Sequence, residues 1–196
     1  AAALAVGAGL ANGQTSSHQR GFALPAWQVD GYDAASLEAT LRETRALGAD
    51  WVQFTPTWYQ QTRSSSEMAR TAGTVSDSGL ERAIRLAHQV GLSVLLKPHV
   101  DLPVPGQDSR NNILPADRAA WFAAYTKFIT HYAAMAQRLG VEQFAMGTEL
   151  SSISSDRAAW VEVIDAVRAS YDGVVLYAAG RDWATVPFWD ALDMIG

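Results

Sequence analysis

Cysteine is missing from all 196 residues, which removes a disulfide scaffold, a thiolate metal centre and a cysteine nucleophile in one step. Basic residues are few and dispersed. Fifteen Lys and Arg against twenty Asp and Glu leave a net charge of −5, with no cluster of the kind that holds nucleic acid or an anionic membrane. Beyond the N-terminal stretch, no apolar run is long enough to span a bilayer. Of only four histidines, His88 and His131 fall inside helical patterns and His18 in a polar spacer, so one imidazole, His99, is left at a strand end. No Gly-rich phosphate loop follows any β-type run, which counts against a dinucleotide-binding fold.

What is present describes one globular domain: 48% of residues are hydrophobic and 18% charged, enough apolar mass for a sizeable core. The opening AAALAVGAGLANG is apolar and ends in small residues, the pattern of a secretory h-region and cleavage zone. With the spacer QTSSHQR it sets residues 1–20 apart as a signal remnant ahead of a domain at 21–196. Export is therefore expected, to the periplasm or the outside.

From Gly21 onward, short β-type runs alternate with long helical ones. The expected strands are GFALPAW (21–27), DWVQFTP (50–56), LSVLLKP (92–98), VEQFAMG (141–147), GVVLYAA (173–179) and LDMIG (192–196). Between them Leu37, Leu41, Thr44 and Leu47 recur at helical spacing, as do Leu80, Ala83, Ile84, Ala87 and Val90. A third helix, from Asp117 to Arg138, carries Trp121, Tyr125, Phe128, Tyr132 and Met135 on one stripe. A fourth follows an Asp156 N-cap, with Trp160, Val163, Ile164, Val167 and Tyr171. Gly48, Gly91, Gly140 and Gly173 are each expected to stop a helix before the next strand. Strand then helix, repeated, means a parallel α/β sheet, and without a phosphate loop the (β/α)8 barrel is favoured over the doubly wound sheet. Such a barrel takes about 250 residues and eight strands. Six strands amount to an incomplete barrel, so the sequence is expected to be cut at both ends, inactive by itself, and a monomer when complete.

Alternation along a strand decides which side chains share a surface. In VEQFAMGTEL, Gln143, Ala145, Gly147 and Glu149 fall on one face, while Phe144 and Met146 look toward helices. In the third strand Leu95, Lys97, His99 and Asp101 share a face opposite Val94 and Leu96. In the second, Gln53 and Thr55 look inward, Val52 and Phe54 outward, and Trp58 and Tyr59 follow at the rim. Barrel chemistry is built at the C-terminal ends of strands, so an acid closing the fourth strand marks Glu149 as a candidate site residue.

The segments GFALPAW, ADWVQFTPTWYQ, LAHQVGLSVLLKPHVD, WFAAYTKFITHYA, FAMGTEL, YAAG and FWDALDMIG together resemble glycoside hydrolase family 113, whose known members are β-mannanases of the retaining clan A. The resemblance runs from Gly21 to the last residue, and KPHVD and GTEL are its most specific pieces. It implies a (β/α)8 barrel with an acid/base Glu closing the fourth strand, matched by Glu149, and a nucleophilic Glu closing the seventh, which has no match here. Two carboxyl groups roughly 5–5.5 Å apart suffice for retaining hydrolysis, so no metal or organic cofactor is implied. As proton donor, Glu149 must carry a proton near neutral pH, which Lys97, if close, would oppose. On the same resemblance, His99 and Asp101 hydrogen-bond sugar hydroxyls, and Trp27, Trp58, Tyr59 and Trp183 offer aromatic faces to sugar rings. Lys97, Thr148 and Tyr177 complete the expected substrate-binding set, Thr148 standing where many clan members have an Asn that contacts the 2-hydroxyl. Trp121 and Trp160, on helical stripes, read as core. Arg110, in the loop PVPGQDSRNN, either reaches the substrate or is solvated.

The expected partner is thus a β-linked glycan, with β-1,4-mannan first among them, and no nucleic acid and no membrane. Two alternatives stay open at this point. One is a non-catalytic carbohydrate-binding barrel; the other is a metal-dependent hydrolase using His99, Asp101 and Glu149 as ligands.

Overall fold

The computed structural model describes residues 18–103 and 109–196. The apolar opening and most of the polar spacer, read above as a signal remnant, lie outside the described residues, as do 104–108 of the loop that carries Arg110.

In chain order the elements are β1 (Gly21–Pro25), α1 (Leu37–Ala46), β2 (Trp51–Thr55), β3 (Thr57–Tyr59), α2 (Asp77–Gln89), β4 (Ser93–Leu96), β5 (His99–Asp101), α3 (Arg118–Leu139), β6 (Gln143–Thr148), α4 (Arg157–Arg168), β7 (Val174–Ala178) and β8 (Met194–Ile195). Six strands form one sheet in the order β1-β2-β4-β6-β7-β8, every pairing parallel. Spatial order follows chain order without a reversal. A doubly wound sheet must reverse, so these are consecutive strands of a (β/α)8 barrel, with β6 fourth in line.

The helices start and stop where their side chains dictate. Ser76, Asp117 and Asp156 each accept a hydrogen bond from the backbone N–H three residues on, at the starts of α2, α3 and α4. Gly140 ends α3 in the left-handed region (φ 68°), which costs glycine nothing. Gly173 does otherwise than expected: α4 is already capped at Ala169, and a Cβ on Gly173 would stand 2.2 Å from the Tyr171 hydroxyl, so close approach and not helix termination requires it.

The two faces of the sheet differ as alternation predicts. Val52, Phe54, Val94, Leu96, Phe144 and Met146 join the main core beneath the helices, together with Trp121, Tyr125 and Trp160, which are fully buried. The inner face is sparse: Ala145, Leu176 and Ala178 form a small separate cluster with Leu95 against it. Ala145 and Ala178, both small, leave room there for polar groups.

Beyond the sheet, β3 and β5 form a parallel two-stranded ribbon, pairing Thr57 with His99 and Tyr59 with Asp101. Pro56 and Pro98 interrupt the main strands because proline has no N–H to give the ladder. The pairing nevertheless continues across them, since Lys97 N–H donates to Phe54 O and His99 N–H to Pro56 O. The chain therefore stays extended from β4 to Asp101, and Lys97, His99 and Asp101 keep the shared face that the sequence indicates.

Candidate active site

Glu149 follows the last residue of β6, and its backbone geometry is unusual. It is the one non-glycine among the described residues with positive φ, at 51°. That conformation costs an L residue about 1–2 kcal/mol, so its surroundings must over-determine it. Two hydrogen bonds do so: Glu149 N–H donates to Ala178 O at 2.9 Å, and Leu150 N–H donates to the Tyr177 hydroxyl at 2.9 Å.

Just before it lies a β-bulge. Ala145 pairs with Leu176 but Thr148 pairs with Ala178, so three steps on β6 match two on β7. Simple alternation places Glu149 with Ala145, but the bulge shifts the register, and Thr148 is the residue paired with an interior neighbour. The left-handed turn, not the pleat, is what brings the Glu149 carboxylate to the mouth. Tyr125 donates its O–H to Met146 O at 2.9 Å, anchoring the bulge to α3.

The carboxylate is held by Arg110, the side chain that the sequence left undecided between substrate and solvent. Its guanidinium donates to Glu149 Oε2 at 2.8 Å and to Asp101 Oδ2 at 2.7 Å, bridging the ends of β5 and β6. Arg110 is only 18% exposed, against 41% for Glu149. The 3₁₀ turn that carries it, Arg110–Asn112, is tied to the loop after β6. Asn111 O accepts from Ser152 N–H (3.1 Å) and Ser152 O–H (2.7 Å), and Ser151 O–H donates to Asn111 Oδ1 at 3.2 Å.

Behind this bridge sit Lys97 and His99. Burial lowers the Lys97 pKa, an effect the Glu149 charge opposes and Arg110 reinforces. Burial, then the charges of Arg110 and Lys97, push the His99 pKa down to about 2, so the imidazole is neutral. Its buried Nε2, the Arg110 Nε and the Thr148 Oγ1 have no hydrogen-bond partner among the described residues. Buried polar atoms without partners are costly and concentrate where a ligand or water completes the set. Two basic side chains, Lys97 and Arg110, and two acidic ones, Asp101 and Glu149, thus share the cluster. No three His, Cys, Asp or Glu among the described residues are grouped to hold a metal ion, and a guanidinium bridges Asp101 and Glu149.

The other expected residues divide. Trp27 and Tyr59 line, with Asp101, Thr71, Gly73 and Pro103, a cavity of about 590 Å³ beside the charged cluster, and Trp27 is 60% exposed. Trp183 is exposed on the loop after β7, its carbonyl accepting from the Trp189 indole at 2.8 Å. Trp58 and Tyr177, expected to meet substrate, stand elsewhere. Trp58 packs on Phe128, donates its indole N–H to the Tyr132 hydroxyl (3.0 Å) and lies under Arg70 (5.3 Å), all on the helix side. The ribbon keeps the phase of Val52 and Phe54, so Trp58 is outward and Tyr59 is not. Tyr177 is fully buried among Trp160, Phe188 and Trp189 and offers no face to a sugar.

The carboxyl groups, the imidazole and the aromatic rings of Trp27 and Tyr59 thus gather at the C-terminal ends of the strands, the end of a (β/α)8 barrel where sites are built. The model of Glycoside Hydrolase Family 113 matches residues 21–196, and the chain belongs to that family. Among solved structures it is similar to a GH113 β-mannanase from Alicyclobacillus acidocaldarius in complex with ManMIm, at 29% identity and TM-score 0.83, covering 90% of this chain and 59% of that one. A complex of a GH113 β-1,4-mannanase matches at 26% identity and TM-score 0.82, covering 90% and 60%. A GH5_18 protein from Streptomyces cattleya, at 17% identity and TM-score 0.56, shares the fold. The chain thus spans about 60% of the length of the β-mannanases it matches. No curated protein matches it.

Proposed function

We propose that the protein carrying this chain is a retaining glycoside hydrolase that cleaves β-1,4-mannan or a closely related β-linked glycan, with Glu149 as general acid/base. The observation that carries the reading is the placement of Glu149: it closes the fourth consecutive barrel strand, on a strained backbone, with its carboxylate at the mouth and Oε2 held by Arg110. Such a carboxyl group protonates the leaving oxygen in the first step and activates water in the second, while a second carboxylate attacks the anomeric carbon. That nucleophile is proposed to lie on the portion of the family barrel that this chain does not cover.

The neighbours fit a neutral sugar. Asp101 and the unpartnered His99 Nε2 supply an acceptor and an adaptable ring nitrogen for hydroxyls, and Thr148 Oγ1 a further partner. Trp27 and Tyr59, beside the 590 Å³ cavity, supply apolar faces on which the C–H edges of a pyranose pack, and Trp183 offers another. Two carboxylates suffice for this chemistry, so no cofactor enters the proposal. A polymeric substrate is consistent with an exported enzyme.

The test is Glu149→Gln in the full-length protein. Loss of the proton donor is expected to cut kcat on mannan by about 10²–10⁴-fold and to spare substrates with an activated aryl leaving group, which need no protonation. Equal losses on both would remove Glu149 from the acid/base role. A wild-type protein that bound mannan without hydrolysing any β-glycan would instead make the barrel a binding module.

A further inference from the structure

We propose that Tyr177 is a positioning residue for Glu149, acting from behind the sheet through the peptide that joins Glu149 to Leu150. This rests on the reading of Glu149 as the acid/base.

A glutamate in the left-handed region persists where its surroundings over-determine it, and here both flanking N–H groups have acceptors. The first is held by a main-chain carbonyl, Ala178 O, which nearly any residue at 178 would supply. The second, the Leu150 N–H, is held by a side chain, the Tyr177 hydroxyl at 2.9 Å. Leu150 is buried, so no water replaces that oxygen if it is lost, and a buried N–H without an acceptor drives the local backbone to rearrange.

The structure around Tyr177 is arranged to deliver its hydroxyl there. The ring is clamped by Trp160, Phe188 and Trp189, with centroids 5.3–5.9 Å away. Gly147, in the bulge, is what lets the ring approach: a Cβ there would stand 2.8 Å from two Tyr177 ring carbons. The hydroxyl also lies 3.5 Å from Asp182 Oδ2, so it donates toward Asp182 while accepting from Leu150. Burial and the Asp182 charge raise the Tyr177 pKa, which keeps the proton on that oxygen. The bulge, the missing Cβ and the left-handed turn are thus three parts of one device that aims a carboxylate.

The experiment compares Tyr177→Phe, Glu149→Gln and wild type in the full-length protein. Each is assayed on a mannan oligosaccharide and on an aryl β-mannoside with an acidic phenol, well below the melting temperature of the weakest variant. Tyr177→Phe keeps the packed ring and removes one oxygen. A misaimed proton donor is expected to lower kcat on the oligosaccharide by about 10- to 100-fold, with KM within about twofold and the aryl substrate nearly unaffected. Equal loss on both substrates, or none on either, while Glu149→Gln retains its leaving-group dependence, overturns the positioning role alone. If Glu149→Gln itself shows no such dependence, the reading of Glu149 falls and this inference with it. Should Tyr177→Phe fail to fold, Gly147→Ala, whose methyl displaces the ring, is read by the same comparison.

Discussion

Replacing Arg110 by alanine removes one guanidinium from between two carboxylates, and the structure sets the scale of the loss. Two unit charges about 4 Å apart attract by about 4 kcal/mol at an effective dielectric constant near 20, before desolvation and side-chain ordering are subtracted. Charge-assisted hydrogen bonds retain about 1.5–3 kcal/mol, and exposed pairs about 0.2–1 kcal/mol. The Asp101 arm, with partners 18% and 27% exposed, belongs nearer the first range. The Glu149 arm, with Glu149 41% exposed, belongs to the second. We therefore expect a coupling of about 1–2 kcal/mol for Arg110 with Asp101 and about 0.5–1 kcal/mol with Glu149. Arg110→Ala should cost about 1.5–3 kcal/mol in all, which lowers the melting temperature by roughly 3–12 °C in a domain of this size. The assay is thermal unfolding of Arg110→Ala, Asp101→Ala, Glu149→Ala and the two double variants that share Arg110. Added salt should erode the Glu149 coupling before that of Asp101. Losses in Arg110→Ala/Asp101→Ala that sum to those of the singles within about 0.5 kcal/mol would refute the argument, because the bridge would then contribute nothing.

Two other expectations concern the mouth. His99 has a folded pKa near 2, far below its ordinary 6.5, so the unfolded chain takes up a proton that the folded one refuses. The stabilisation this represents is complete above pH 6.5 and is lost as pH falls toward 2, at up to about 1.4 kcal/mol per unit. Thermal unfolding between pH 4 and 7 should accordingly be less pH-dependent in His99→Gln than in wild type, and parallel curves would show that His99 is not held neutral. Trp27→Ala removes an exposed ring from the cavity wall and should leave the melting temperature within about 2 °C, since surface substitutions usually stay within ±0.5 kcal/mol. Its effect belongs in KM for oligosaccharides long enough to reach the cavity, and an unchanged KM across chain lengths would exclude Trp27 from binding.

Much of this arrangement is legible in the residues themselves. Alternation of Val94 and Leu96 with Leu95, Lys97, His99 and Asp101 predicts both faces of that strand, and the structure keeps them even across Pro98. The same phase, carried through Pro56, sends Trp58 to the helices, but a proline reads as the end of a strand and conceals the ribbon beyond it. Glu149 is a different case. Its position at a strand end marks it, and Gly147 inside the strand is a local hint of a bulge, but the register shift itself is visible only against the partner strand. Tyr177 sits in a motif that resembles the family, yet its inaccessibility comes from Trp160, Phe188 and Trp189, which reach it from two other elements. Arg110 lies 39 residues from Glu149, and nothing local distinguishes a loop arginine that bridges two acids from one that faces water.

The hydrogen bonds from Ser151 and Ser152 to Asn111 make the segments after β5 and β6 one mechanical unit at this rim of the barrel. Exchanging either segment alone, as in transplanting a specificity loop between homologues, would tear Arg110 from its seat even if every residue of the mouth were retained. Engineering on this scaffold therefore has to move the two segments together, with the seam cut at the strand ends and not between the loops.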